Sequence, residues 1–153
     1  MRDWLKIVYS ETSSSKLNKH YKNWANLYDI DMSSWGYAYP QQLSKILKNK
    51  LKLKKTVKIL DAGCGTGYVA EVLYKLNYKH IIGIDFSSEM LAIARSKKIY
   101  KKLLCQSLNK KIELRSKQFE LIICTGVLTS GHVGPSAMHE LVRLLKPQGF
   151  LVC

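Results

Sequence analysis

The chain is short of acid, of proline and of paired cysteine. Against 25 Lys and Arg stand only 11 Asp and Glu, a net charge of +14, and that imbalance admits an anionic partner such as nucleic acid. Lys greatly outnumbers Arg, and Lys45–Lys58 holds seven Lys with no acid between them; such a run reads first as a solvated face. Three Pro and nine Gly in 153 residues exclude collagen-like and low-complexity chains. The four cysteines, Cys64, Cys105, Cys124 and Cys153, form no C-x-x-C pair, so a zinc site is not expected. Free thiols suit a reducing compartment, the cytoplasm or, second, the nucleus. No apolar run approaches the length of a membrane span, and Met1–Ser10 has no signal-peptide pattern. What is present is ordinary for one globular domain: 46% hydrophobic and 24% charged residues.

Met1–Lys16 is polar and is expected to be a flexible tail. Leu17, Tyr21, Trp24 and Tyr28 recur at helical spacing, Asp29–Pro40 is aromatic and irregular, and a second helix is expected from Gln41. The pattern then changes. Short, continuous apolar runs at 57–60, 81–84, 103–105, 119–124 and 150–152 alternate with helix-spaced segments. Ser87 or Ser88 is placed to cap one of those helices, which carries Met90, Leu91 and Ala94, and Pro135 to open another. Continuous apolar strands alternating with helices predict a parallel sheet buried on both faces. Ligands of such sheets bind beyond the carboxyl ends of the strands, where Asp61, Asp85, Cys105 and Cys124 stand.

Asp61-Ala62-Gly63-Cys64-Gly65-Thr66-Gly67 joins the first strand to the next helix. Gly63 and Gly65 let the backbone turn tightly and approach a ligand, and the helix start beyond offers free N–H groups to an anion. A dinucleotide-binding G-x-G-x-x-G would need its third Gly at Tyr68; here it comes one residue early. Asp85 ends the following strand, where a carboxylate can accept from both ribose hydroxyls of a nucleoside. Phe86 could lie along the base.

The D-x-G-x-G-x-G pattern at 61–67 resembles that of class I S-adenosylmethionine-dependent methyltransferases. Trp24–Asp29, Ile99–Leu108 and Gly126–Val133 further resemble the methyltransferase-like proteins of the Williams–Beuren syndrome region. The likeness runs from about Leu17 to Cys153. It implies a Rossmann-like α/β fold, with residues 17–56 as a helical lid and 57–153 as the cofactor-binding sheet half. It implies S-adenosylmethionine as cofactor, held by Asp61, Gly63, Cys64, Gly65, Asp85, Phe86 and Met90. Tyr28 of the lid would join them, with Ser107 after the third strand and Thr125 after the fourth. Trp24 and Tyr28 read equally well as simple packing.

Several departures are visible. The group tends to have a basic residue near Ala38, and many class I members have an Asp near Ser107; this chain has neither. Gly is frequent where Gln148 stands, and a type I turn there would tolerate Gln. Class I members usually continue beyond the fifth strand, so the sheet is expected to be truncated, with Phe150–Val152 as an exposed edge. No metal is implied. The general base is open: His132 is a candidate, with a solvated loop histidine as the simpler reading.

The function expected is methyl transfer to a small-molecule or protein acceptor, with no membrane partner. Two alternatives stand beside it: a cofactor-binding fragment without catalysis, and a nucleic-acid methyltransferase. Cys124-Thr125-Gly126-Val127, where base-modifying enzymes often have N/D-P-P-Y/F, argues against amino-group methylation of bases.

Overall fold

A computed structural model describes residues 4–11, 13–127, 133–134 and 136–153. Their elements run in the order α1 (Trp4–Ser10), α2 (Ser14–Ser34), α3 (Tyr39–Ile46) with a π-helical turn (Leu47–Leu51), β1 (Ile59–Ala62), α4 (Tyr68–Lys75), β2 (Ile81–Asp85), α5 (Ser88–Ser96), β3 (Lys102–Cys105), β4 (Phe119–Ile123), α6 (Ser136–Leu144) and β5 (Leu145–Val152). The strands make one sheet in the order β3-β2-β1-β4-β5, all neighbours parallel. That is the Rossmann-like arrangement, whose reversal of strand order falls between β1 and β4.

Period-two alternation divides the strand side chains between two cores. Ile59, Ile81, Leu121 and Ile123 pack on one face against Leu43, Leu47, Val69 and Leu73 of the α3 and α4 layer. Leu60, Ala62, Ile84 and Ile122 pack on the other against Ala137, Leu141 and Leu144 of α6. The sheet is thus covered on both faces, as continuous apolar runs demand.

A third cluster lies outside the sheet. Trp4, Val8, Leu17, Trp24 and Met32 are buried together, with Trp4 stacked on Trp24 at 5.9 Å and 10°. The segment expected as a loose tail is therefore helical from Trp4 to Ser10. Burying Trp4 and Val8, four residues apart on one helix face, offsets the entropy of ordering it. Helix α2 likewise runs on through Ser34 instead of ending before an irregular stretch. Asp31 accepts the Trp24 Nε1–H at 2.7 Å and Met32 is buried, so the last turn has partners.

Two strands move by two residues or more. β1 begins two residues later than its apolar run and takes in Asp61 and Ala62. β5 absorbs the turn expected at Gln148: Phe119 pairs with Leu145 and Leu121 with Phe150, so the intervening residues of β5 bulge out of register. Within that bulge Gln148 has φ 62°, the left-handed region, not the backbone of a type I turn. Replacing Gly by Gln here is a strained substitution, not a mild one.

Candidate functional site

The turn after β1 is fixed from both sides. The Gly63 and Cys64 N–H groups donate to the Ile84 carbonyl at 2.8 and 2.9 Å, and the Gly67 N–H donates to the Cys64 carbonyl at 2.8 Å. Gly63, at φ 76°, lies so close to Val127 that an added Cβ would sit 2.1 Å from its Cγ2. Gly65, at φ 52°, instead faces open space. The first glycine serves packing against the segment after β4; the second leaves room in the cleft.

Asp85 closes the turn. Its Oδ2 accepts the Gly65 N–H at 2.8 Å and its Oδ1 the Ser87 N–H at 2.9 Å. Burial pushes its pKa up, against the lowering effect of those two backbone donors. Each oxygen keeps a second acceptor position, so the carboxylate can hold the glycine turn and still accept a ligand hydroxyl. Of the two serines beyond it, Ser87 is the cap: its hydroxyl accepts the Met90 N–H. The cap starts α5 so that Met90, 1% exposed, turns inward.

One cleft opens at the carboxyl ends of these strands. It is lined by Tyr28, Gly63, Gly65, Asp85, Phe86, Met90, Ser107 and Thr125, all singled out in the sequence. Leu17, Tyr21, Gln106, Leu108, Asn109, Gly126, Val127 and Val133 complete it. A smaller recess on the other side of the glycine turn shares Tyr28, Gly63, Gly65 and Thr125 and adds Tyr37, Asp61, Cys64, Tyr68 and Val69. Asp61 and Cys64 thus border the recess and not the main cleft. Tyr28 reaches both while its neighbour Trp24 is buried in the aromatic layer, 1% exposed. His132 lies outside the described residues, as does Pro135. The Lys45–Lys58 run enters β1 at its amino end, away from the cleft.

Asp61 is 2% exposed. Burial raises its pKa to about 7; the Tyr100 hydroxyl opposes the shift and the Asp85 charge adds to it. Tyr100 donates to Asp61 Oδ2 at 2.7 Å, and its ring packs under Gly67 and Gly83, within 3.1 and 2.9 Å of a Cβ placed there. Burial also drives the Cys64 thiol well above its usual range and the Cys124 thiol up to about 12. Both stay protonated and serve packing, not nucleophilic attack.

The sequence did not announce Tyr100, Asn109 or Lys97. Asn109 accepts the Gly134 N–H at 2.9 Å and so ties the loop after β3 to the segment before α6. For Tyr100 a local trace existed: a glycine inside a strand, here Gly83, marks a close approach by another group.

Comparison with known proteins places the chain. Residues 60–153 match the methyltransferase domain family. The human methyltransferase-like protein 27 is 33% identical over 135 residues, 87% of this chain and 54% of that protein. A malonyl-[acyl-carrier protein] O-methyltransferase of Priestia megaterium is 31% identical, over 89% of this chain and 49% of its own length. The chain therefore spans about half the length of these curated relatives. Among solved structures, SAM-bound CalS10, an amino pentose methyltransferase of Micromonospora echinaspora, superposes with a TM-score of 0.65 at 19% identity, covering 82% of this chain and 54% of that one. At that identity the likeness bears on the fold alone.

Proposed function

Since the chain belongs to the class I S-adenosylmethionine-dependent methyltransferases, matching their methyltransferase domain over residues 60–153, we propose that its cleft holds S-adenosylmethionine and that the protein methylates a small-molecule or protein acceptor. The observation that carries this reading is the convergence of the open Gly65 turn, the Asp85 carboxylate, Phe86 and Met90 on one cleft. Those residues fit the cofactor. The space above Gly65 would be filled by any side chain there, and the Asp85 oxygens retain acceptor capacity for ribose hydroxyls. Phe86 and Met90 give apolar surface for the base, and Gln106, Ser107 and Asn109 supply polar groups along its edge. Tyr28, bordering both the cleft and the recess, would face the junction of nucleoside and amino-acid ends. Thr125 borders the same junction.

When bound, S-adenosylmethionine supplies an electrophilic methyl group. The chain's own contribution is orientation and exclusion of water: the glycine turn and Asp85 fix one wall, and α2 with Tyr21 and Tyr28 forms the opposite one. Positioning of this kind can supply much of a transfer rate. We infer that residues 17–56 act as the cover and 57–153 as the cofactor-binding half, with α1 added to the cover. Within the family we assign the chain to the methyltransferase-like group of the Williams–Beuren syndrome region, a placement supported by its 33% identity to methyltransferase-like protein 27. Four free thiols suit a cytoplasmic setting, and among the described residues no helix is long and apolar enough to cross a membrane.

Calorimetric titration with S-adenosylmethionine, S-adenosylhomocysteine and NAD tests the proposal. Binding of the first two and not of NAD is expected; preferential binding of NAD would overturn it.

A further inference from the structure

Outside the cleft, one charged cluster joins three elements. Lys97 follows α5, and its Nζ lies 2.6 Å from Asp29 Oδ2 on α2 and 2.5 Å from Glu71 Oε1 on α4. The other Asp29 oxygen accepts the Thr66 hydroxyl at 2.5 Å. Asp29 is thus pinned twice, by the lysine and by the glycine turn itself. Its chain neighbour Tyr28 borders the cleft, and the chain neighbour of Thr66 is Gly65.

The cluster differs from the other bridge between α2 and α5. Lys22 and Glu89 meet at 3.0 Å, but the Lys22 side chain is 62% exposed, where solvent screening leaves such a pair little worth. The Lys97 side chain is 16% exposed and serves two carboxylates at once. Removing its ammonium group would leave Asp29 and Glu71 facing each other as like charges.

We propose that Lys97 is a positioning residue for the cleft: by bridging Asp29 to Glu71 it holds the α2 wall, and with it Tyr28, against the glycine turn, so that release of the bridge loosens the grip on the ligand. The proposal rests on the cleft being the cofactor site. Lys97 itself touches neither cleft nor recess and acts only through Asp29 and Thr66. Because the carboxylates are about one-third exposed, the bridge weakens as added salt shortens the screening length.

The test compares the unsubstituted protein with Lys97→Met, Lys97→Arg, Thr66→Val and Lys22→Met. S-adenosylhomocysteine affinity is measured by calorimetry at low and high salt, and amide exchange of Trp24–Ser34 is measured without ligand. Lys97→Met is expected to weaken affinity about two- to fivefold, to speed exchange in Trp24–Ser34, and to lose most of the salt dependence of binding. Lys97→Arg, which can still meet two carboxylates, should restore much of both. Lys22→Met should change neither. Thr66→Val alters no charge and should speed the same exchange; it decides the matter if Lys97→Met does not fold. Unchanged exchange in both Lys97→Met and Thr66→Val, or faster exchange with unchanged affinity, would overturn the proposal. If the unsubstituted protein binds no S-adenosylhomocysteine, the cofactor reading has failed and the positioning role falls with it. The ligand-free exchange then shows separately whether the bridge holds α2.

Discussion

The Tyr100 hydroxyl donates to the buried Asp61 carboxylate at 2.7 Å, from the loop after α5 into the interior of β1. This bond and the ring packed under Gly67 and Gly83 set the underside of the glycine turn.

Tyr100→Phe should therefore destabilise the fold by about 1–3 kcal/mol, the usual cost of removing a donor from a buried acceptor. The pH dependence has a definite sign. Asp61 titrates near 7 in the fold, above its ordinary value of 3.8. Its contribution is fully present below that ordinary value and is lost as pH rises through about 7. Glu140 runs the other way: its bonds from Arg143 hold its pKa down to about 2, so its contribution is lost as pH falls from its ordinary value toward 2. Thermal unfolding across pH should show Asp61→Asn removing the first of these losses and leaving the second.

Asp85→Ala should weaken S-adenosylmethionine binding by about 1.5–3 kcal/mol, the scale of hydrogen bonds to a charged group. That is roughly ten- to a hundredfold in affinity. Because Asp85 also holds the Gly65 and Ser87 N–H groups, the melting temperature should fall as well. A full melting temperature with lost binding would mean that those two backbone bonds contribute nothing to stability.

The first two glycines of the turn should separate folding from binding. A Cβ at Gly63 would lie 2.1 Å from Val127, so Gly63→Ala should destabilise or unfold the protein. A Cβ at Gly65 meets nothing. Gly65→Ala should cost only the left-handed backbone penalty of about 1–2 kcal/mol yet impair cofactor binding, and Gly65→Val should impair it further. Melting curves and calorimetry on the two alanine variants distinguish the roles.

Gln148 occupies the left-handed region in the β5 bulge and is exposed. Gln148→Gly should relieve that strain, less the entropy cost of glycine in the unfolded chain, for a net gain of about 0.5–1 kcal/mol. A rise of about 1–4 °C in melting temperature is expected for a domain of this size. No rise would mean that the bulge stores no strain.

The parts of this structure legible in the sequence are those written in local periodicity. The strand–helix alternation, the glycine turn with Asp61, and Asp85 at the end of β2 all follow from spacing within a few residues. What was missed depends on pairing across the chain. Tyr100 finds Asp61 from 39 residues away and Lys97 finds Asp29 from 68; no window of sequence contains either pair. The α1 helix was missed for a related reason. Its seven residues are too few to be stable alone, and it is held by burial of Trp4 and Val8 in the cluster around Trp24. The Gln148 backbone could not be read because the bulge is imposed by β4, on which β5 must regain register.

The aromatic layer has an optical consequence. All three tryptophans of the chain belong to it: Trp4 and Trp35 lie 5.9 and 5.8 Å from Trp24, while the sheet and the helices α3 to α6 hold none. Indole emission is therefore a reporter confined to one layer of the molecule. Its loss on heating dates the departure of the N-terminal helices, whereas far-ultraviolet dichroism follows the whole backbone. Two midpoints that coincide would mark a single cooperative unit. An earlier indole transition would mark helices that peel away while the sheet stands.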